Sequence, residues 1–430
     1  MTRLLRTLLV YRSLGEDALV GKAARVFDGF GRPAGLSASH GDADEGDSRA
    51  IYYEVQASLL DMEADSDSEG TRWEDYVCRL VAGSVNVFSR QADRGEEDGA
   101  VAALAVREMR AMKLLYALDW AAAAAIVGDE ASCVARMPAR PGAPEGNAGF
   151  FLGKMAAVHR ALRTDSDEDA ALGLADYYRR QGRGMFQRYK AFCWDGGLRG
   201  IDRVDPVTFG DLVGYEAQKE KIIGNTEAFL KGLPRMNMLL HGDRGTGKSS
   251  CVKALLNSFA HRKLRLVETP KERAPELAEL MGALAGQGCR FIVFIDDLSF
   301  EENETGYKAL KSALEGGAAP QPANVMVCVT SNRRNIIKEV WRDRDGREDM
   351  HVGDAIQEKR SLADRFGMTV AFPAPDKKEY LEIVRAIAAR EGLGVDEESL
   401  ARDAMAWEIR GGGRSGRAAR QFVDFIKRGL

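Results

Sequence analysis

The chain is 430 residues long, with 45% hydrophobic and 29% charged residues and a formal net charge of −4. This length is too great for one ordinary core and predicts two or three domains, and the composition is that of a soluble globular protein. The small negative charge excludes a global attraction to nucleic acid or to an anionic membrane, although a local basic face remains open.

Cysteine usage and hydropathy bear on the cellular compartment. The six cysteines are scattered without a Cys-x-x-Cys pair, which favours free thiols in a reducing compartment over a disulfide framework or a zinc site. No stretch approaches the roughly twenty apolar residues of a membrane span, and arginines interrupt the N-terminal segment where a signal peptide needs an apolar core. We expect a cytoplasmic protein that has no membrane partner.

Residues 1–195 are predicted to form an all-helical N-terminal domain. Apolar residues recur at three- and four-residue spacing in Ile51–Met62, Trp73–Phe88, Val101–Val127 and Ala170–Trp194. Acidic, glycine-rich stretches such as Gly41–Asp47 separate these segments, and solvated loops explain them better than metal sites. The region carries no catalytic constellation, so we expect it to recognise a partner, to regulate, or to support assembly.

Strands alternate with helices after a glycine-rich linker at residues 196–210. The predicted strands are Met236–His241, Leu264–Val267, Phe291–Ile295, Val325–Thr330 and Met368–Ala371. Apolar strands that alternate with helices predict an α/β domain at residues 211–375, with a parallel five-stranded sheet covered on both faces.

A phosphate-binding loop is predicted between the first of these strands and the helix that follows it. Residues 242–249 read Gly-Asp-Arg-Gly-Thr-Gly-Lys-Ser, which fits the pattern of Gly, four free positions and Gly-Lys-Ser/Thr. Glycines let successive amides point at one anion, and the helix that follows adds the positive end of its dipole. Lys248 is expected to reach the β- and γ-phosphates, and Ser249 to offer its hydroxyl to Mg²⁺. The candidate binding residues are Gly242, Asp243, Arg244, Gly245, Thr246, Gly247, Lys248, Ser249 and Ser250.

Polar side chains end the next two long apolar strands. Asp296 follows a buried strand and is predicted to hold Mg²⁺ with Ser249, while Asp297 is placed to polarise the attacking water. Asn332 follows the strand Val325–Thr330 and is predicted to contact that water or the γ-phosphate. These features predict that the chain binds a nucleoside triphosphate with Mg²⁺ and hydrolyses it.

Arginines complete the set of candidate catalytic residues. Arg360 and Arg365 precede the last strand, where a cation could reach the γ-phosphate of a neighbouring subunit, and Arg417 lies at the start of a final helix. Arg365 is the first choice for this role in trans and Arg360 the reserve.

This order of motifs resembles that of the AAA+ ATPases over residues 205–430. The stretches Ile295–Phe300, Thr330–Asn332 and Asp364–Gly367 are most similar to the replication-initiator and helicase-loader branch. Asp211–Glu216 and Ser312–Gly317 resemble more closely a bacterial family of AAA-type ATP-binding proteins of unknown function. The resemblance implies a C-terminal helical lid at residues 376–430, adenine contacts at Val213 and Gly214, a first sensor at Asn332 and a second at Arg417. Asp297 stands where much of the class has Glu, and its shorter side chain would suit slow, switch-like hydrolysis.

Three functions follow as hypotheses. The first is a homo-oligomeric ATPase with nucleotide sites shared between subunits, which couples ATP to the remodelling or loading of a macromolecular partner. The second is an ATP-dependent DNA-binding protein, for which Arg333, Arg334, Arg342, Arg344 and Arg347 offer cations, although acidic residues interleave with them. The third is a regulatory nucleotide switch whose N-terminal helical domain binds a protein.

Overall fold

The computed structural model describes residues 1–30, 41–62, 70–138, 154–299, 306–315, 320–332 and 365–429. The chain divides into two compact units. The first comprises Met1–Lys190, Ile201–Val204 and Gln287–Cys289, and the second comprises Ala191–Gly200, Asp205–Gly286 and Arg290–Leu430.

The described part of the first unit is built from helices. They are α1 (Thr2–Leu5), α2 (Arg12–Glu16), α3 (Ala18–Phe30), α4 (Gly41–Leu60), α5 (Arg72–Gly83), α6 (Val87–Arg94), α7 (Gly99–Tyr116), α8 (Trp120–Val127), α9 (Met155–Arg163), α10 (Asp167–Gln181) and α11 (Met185–Arg188). Their apolar faces share one core that contains Tyr52, Trp73 and Tyr178, each at most 1% exposed. The three- and four-residue spacing places these side chains on one face of each helix, which is why the helices pack together.

Helix boundaries in this unit differ from the sequence prediction. The predicted segment Val101–Val127 is two helices, because the Asp119 side chain caps a new helix by accepting a hydrogen bond from the Ala122 amide at 3.0 Å. The acidic stretch Gly41–Asp47, expected to be a loop, forms the first turns of α4. Periodicity detects a helical region well but resolves its breaks poorly, since a cap depends on one side chain.

The second unit contains one mixed sheet of seven strands. They are β1 (Ala191–Trp194), β2 (Leu198–Gly200), β3 (Met238–Gly242), β4 (Leu264–Glu268), β5 (Arg290–Ile295), β6 (Val325–Ser331) and β7 (Met368–Phe372), in the order β2-β1-β4-β5-β6-β3-β7. All neighbouring pairs are parallel except β1 and β2. Every residue of β6 is buried, as expected of a central strand with both faces covered. The five predicted strands are all present, and β6 lies between β3 and β5.

The prediction of five strands was wrong, because it missed the two strands of the hairpin β1–β2. The sequence reading assigned Ala191–Trp194 to the end of a helix and Leu198–Gly200 to the linker at residues 196–210. Instead Ala191, Phe192 and Cys193 pair with Leu266, Val267 and Glu268 of β4. Two strands of four and three residues are too short to show a period. They become strands because the edge of β4 supplies the partners of β1, and β1 in turn supplies those of β2.

Helices cover this sheet and continue to the end of the chain. They are α12 (Glu216–Leu230), α13 (Lys248–Phe259), α14 (Leu277–Leu284), α15 (Gly306–Glu315), α16 (Lys377–Arg390), α17 (Glu397–Trp407) and α18 (Gly416–Lys427). The last three form the C-terminal helical segment, with a core of its own around Tyr380, Val384 and Phe422. No helix in the described ranges is long and apolar enough to cross a bilayer.

Candidate nucleotide-binding site

A cleft of about 1110 Å³ opens within the second unit at the carboxyl ends of β3, β5 and β6. Such edges of parallel sheets are where α/β folds bind ligands. Predicted residues that line it are Val213, Gly214, Arg244, Gly245, Thr246, Gly247, Lys248, Ser249, Ser250, Asp296, Asp297, Asn332 and Arg417. The structure therefore brings together in one cleft residues that are more than 200 positions apart in the chain.

The phosphate loop connects β3 to α13 in the conformation that its glycines permit. Gly247 has a left-handed backbone, with φ at 91°, immediately before α13 begins at Lys248. Gly242 closes β3, and the Asp243 amide donates a hydrogen bond to the Phe372 carbonyl of β7 at 3.1 Å. The Asp243 carboxylate accepts one from the Ala374 amide at 2.8 Å. Gly242 and Asp243 thus form the base of the loop and do not line the cleft.

Lys248 points across the loop into a mostly buried position. Its Nζ donates hydrogen bonds to the carbonyls of Gly242 and Asp243, at 2.9 and 2.7 Å, and to Asn332 Oδ1 at 3.2 Å. Burial lowers the pKa of Lys248 from its ordinary value, partly opposed by the nearby carboxylates of Asp243, Asp297 and Asp296. A cation in this position is suited to phosphate oxygens, which would relieve the cost of its burial.

The Asp296 carboxylate accepts a hydrogen bond from the phosphate loop. Ser249 Oγ donates a hydrogen bond to Asp296 Oδ1 at 2.6 Å, and the Thr330 hydroxyl donates to the same oxygen. Because the Ser249 hydroxyl proton is used in the hydrogen bond to the carboxylate, the lone pairs of Oγ remain for a cation.

Asp297 and Asn332 meet at the ends of β5 and β6. Asn332 Nδ2 donates a hydrogen bond to Asp297 Oδ1, while its Oδ1 accepts from Lys248. Asn332 is therefore hydrogen bonded to both the loop lysine and the second carboxylate, at the position from which a γ-phosphate could be sensed.

The residues at this edge of the sheet fit Mg²⁺ bound together with phosphate. Among the described residues no group of three or more His, Cys, Asp or Glu side chains could hold a metal ion by itself. Mg²⁺ in phosphate sites typically uses one or two protein oxygens, water and the phosphates themselves. Ser249 and Asp296, whose contacting oxygens lie 2.6 Å apart, provide such a pair.

The segment Leu212–Tyr215 also lines the cleft. Gly214 and Tyr215 both have left-handed backbones, with φ at 80° and 59°. The Tyr215 hydroxyl donates to the Pro373 carbonyl at 2.6 Å, and buried Lys219 donates to the Leu212 carbonyl at 2.8 Å. These contacts shape a segment whose backbone groups could contact an adenine ring, which is the role expected of Val213 and Gly214.

Two of the predicted arginines occupy different ends of the second unit. The Arg417 amide donates to the Gly245 carbonyl at 3.2 Å, so the start of α18 contacts the phosphate loop. Arg365 does not line the cleft; it is exposed on the turn before β7. Since β7 runs parallel to β3, this turn lies at the amino ends of the strands, whereas the phosphate loop lies at their carboxyl ends. Arg360 and the cations Arg333–Arg347 lie outside the described residues.

Sequence reasoning missed two residues that shape the site. Thr330 contacts the Asp296 carboxylate and the Asp297 backbone amide, and a signal for it existed, because residues two apart on a strand share a face and Thr330 precedes Asn332 by two. No local pattern distinguishes Lys219 from the exposed Lys221 of the same helix.

The topology and this constellation define a P-loop nucleotide-binding domain of the AAA+ type. The sequence profile described as "Protein of unknown function (DUF815)" matches residues 187–429, and the chain belongs to that family. The matched residues begin just before β1, so the hairpin that the sequence reading overlooked lies within the family's domain.

Similarity to other characterised proteins is distant. The chain is 26% identical over 221 residues to a 26S proteasome regulatory subunit 6B homolog from Encephalitozoon cuniculi, covering 45% of this chain and 52% of that protein. It is 24% identical over 102 residues to a replication factor C large subunit from Methanococcus maripaludis, covering 23% and 21%. A structure of the Thermotoga maritima RuvB Holliday junction branch migration motor aligns at 18% identity with a TM-score of 0.37, over 52% of this chain and 65% of that one. The chain thus spans about half the length of the first relative and about a fifth of the second.

Proposed function

We propose that this protein is an ATPase that binds Mg-ATP in the cleft of its second unit and hydrolyses it. The observation that carries the proposal is the hydrogen-bonded set Lys248, Ser249, Asp296, Asp297 and Asn332, drawn from the phosphate loop and two strand ends. Lysine, hydroxyl, paired carboxylates and a polar sensor in this arrangement are what phosphoryl transfer to water requires.

Each of these residues has a distinct task under this proposal. Lys248 and the loop amides bind the β- and γ-phosphates, and Ser249 with Asp296 holds Mg²⁺, which would neutralise charge on the transferred phosphate. Asp297 accepts a proton from the attacking water, and Asn332 holds Asp297 in place through its amide.

ATP binding and phosphate release by variants test the proposal. Lys248→Ala is expected to weaken binding of a fluorescent ATP analogue at least about tenfold, because a charge-assisted contact is lost. Asp297→Asn is expected to bind like wild type and to release phosphate at least about a hundredfold more slowly, because the base is lost. Glu398→Gln, which likewise replaces a carboxylate by an amide but at an exposed position of α17, serves as the control. Undiminished phosphate release by Asp297→Asn would exclude the assigned base.

We further propose that nucleotide sites are shared between subunits of a homo-oligomer and that turnover remodels or loads a macromolecular partner. Exposed Arg365 supports sharing, because it lies at the amino ends of the strands, opposite the end that carries its own phosphate loop, and is suited to reach a neighbour's. The contact of Arg417 with Gly245 supports coupling of the nucleotide to the C-terminal helical segment.

The rate of hydrolysis per subunit tests the sharing of sites. We expect this rate to rise with protein concentration, and Arg365→Ala to lower it by two or more orders of magnitude, since arginine fingers contribute about 10³–10⁵ in rate. Arg402→Ala on α17 is the matched exposed control. A rate per subunit that is independent of concentration and unchanged in Arg365→Ala would contradict shared sites. Independently of this test, a pull-down with the Asp297→Asn variant in the presence of ATP would identify partners.

A slow or non-hydrolysing nucleotide switch is the second candidate. It is favoured by the short side chain of Asp297 and by its hydrogen bond to Asn332, which would have to loosen before a water could be activated. Tight ATP binding without phosphate release by the assembled protein would select the switch. The DNA-binding alternative remains a prediction, decided by salt-dependent DNA binding in the presence of ATP.

A further inference from the structure

Thr330, the penultimate residue of β6, reaches the acidic residues that follow β5. Its hydroxyl accepts a hydrogen bond from the Asp297 amide at 2.8 Å and donates one to Asp296 Oδ1. Its carbonyl accepts one from the Leu298 amide at 2.8 Å. Thr330 is 1% exposed, so one buried residue holds three consecutive residues at the edge of the cleft.

The backbone of Asp297 depends on such a partner. Its φ of 49° lies in the left-handed region, which costs a residue with a Cβ roughly 1 kcal/mol or more. The Asp297 amide also meets Asp296 Oδ1, but at the longer distance of 3.1 Å. The Thr330 hydroxyl is therefore the nearer acceptor in the conformation from which Asp297 reaches Asn332.

The Asp296 carboxylate is oriented by the same hydroxyl. Within the described residues, the hydrogen bonds to this carboxylate come from Ser249, Thr330 and the Asp297 amide, and all end on Oδ1. Three donors on one oxygen fix the rotation of the carboxylate and leave Oδ2 to a cation. Partners that orient a metal ligand in this way are commonly worth about 10- to 100-fold in metal affinity.

We infer that Thr330 is a positioning residue for the metal of this site, acting through Asp296 and the Asp297 backbone. The inference rests on the proposed function and adds a separate consequence. Metal-free nucleotide binding depends on Lys248 and the loop amides, which Thr330 does not contact among the described residues. Loss of its hydroxyl therefore weakens metal binding and leaves metal-free ATP binding in place.

Metal and nucleotide affinities of Thr330→Val test this inference, because valine keeps the shape of threonine and lacks the hydroxyl. Mn²⁺ affinity is measured by electron paramagnetic resonance with a non-hydrolysable ATP analogue, and nucleotide affinity by fluorescence in EDTA. We expect Mn²⁺ affinity to fall about tenfold or more and nucleotide affinity in EDTA to change by less than about twofold. Thr330→Ser should restore Mn²⁺ affinity.

Two controls separate a local effect from general damage. Thr226→Val removes another buried threonine hydroxyl, which donates to the Ile222 carbonyl of α12, and should leave Mn²⁺ affinity unchanged. If Thr330→Val does not fold, Thr330→Ala and Thr330→Ser form a pair that differs only in the hydroxyl.

The outcomes distinguish the inference from the proposed function. Wild-type Mn²⁺ affinity in a folded Thr330→Val, or an equal loss of nucleotide affinity in EDTA, would overturn the inference alone. A wild-type protein that binds no nucleotide would overturn the proposed function and the inference with it.

Discussion

Single residues at the base of the cleft decide whether the strands can approach each other. The end of β3 passes so close to β7 that a Cβ at Gly242 would lie 2.0 Å from the Phe372 carbonyl oxygen. The φ of Gly242 is 138°, a backbone angle that residues with a side chain rarely adopt. Both constraints arise from the pairing of β3 with β7, which the motif alone does not reveal.

Gly242→Ala is accordingly expected to lower the free energy of unfolding by about 2–3 kcal/mol or more, because backbone strain and a clash with a carbonyl add together. Chemical denaturation measures the change. Gly224→Ala provides the control, since Gly224 lies inside α12 and nothing lies within 4 Å of its Cβ position. This substitution should raise the free energy of unfolding by up to about 1 kcal/mol. Equal effects of the two substitutions would contradict the close approach at Gly242.

Cysteine reactivity is a second property of single residues. All six cysteines are free, and only Cys193 is partly exposed. Burial raises the pKa of Cys251 to about 12, so its thiolate is scarce at pH 8. We expect a thiol reagent at pH 8 to modify Cys193 first and the buried cysteines only on unfolding. Cys193→Ser should abolish the fast phase, and a fast phase that survives this substitution would be inconsistent with the burial of the other five cysteines.

At the scale of elements, the C-terminal helical segment depends on how its first helix begins. The Asp376 side chain accepts a hydrogen bond from the Glu379 amide at 2.8 Å, and the Glu379 side chain accepts one from the Asp376 amide at 2.8 Å. This capping box sets α16, which brings Tyr380 and Val384 into the core of the segment. A helix whose apolar face is the center of a small core transmits the loss of its cap to the whole segment.

Asp376→Ala is expected to destabilise the segment by about 1 kcal/mol, because the Glu379 amide loses its acceptor. Hydrogen exchange of the α16 amides should rise accordingly. Asp376→Ser keeps an N-cap acceptor and should exchange at close to the wild-type rate. Identical exchange in the alanine and serine variants would show that the cap contributes nothing measurable.

At the scale of the whole molecule, the cleft belongs entirely to the second unit. A ligand that binds only the folded form stabilises it by mass action, by about 2.7 kcal/mol at a hundredfold excess over Kd. Mg-ATP should therefore raise the unfolding temperature of the second unit, while the helical first unit gains nothing directly.

Scanning calorimetry with and without Mg-ATP checks this expectation. We predict two transitions, of which one moves upward by several degrees with ligand. Removal of Mg²⁺ with EDTA should reduce the shift, and so should Lys248→Ala, because weaker binding gives less stabilisation at the same ligand concentration. A single transition that moves upward as a whole with ligand would contradict this prediction and would mean that the two units unfold as one.

The sequence alone determined the local parts of this protein. The strand, glycine loop and helix around Lys248, the apolar strands that end in Asp296 and Asn332, and the helical spacing of the first unit are all local patterns, because backbone geometry and side-chain period act over a few residues. Parallel strands end at the same edge, so the meeting of Lys248, Ser249, Asp296, Asp297 and Asn332 also followed.

Only the tertiary structure decided the rest. The strand β1 exists because β4 offers a free edge, and β2 exists because it pairs with β1. Gly242 is required because β7 passes close by, and Thr330 matters because β5 ends beside it. These features depend on residues far apart in the chain, and no local period encodes such a contact. The same reason places Arg417 against the phosphate loop and Arg365 at the amino ends of the strands.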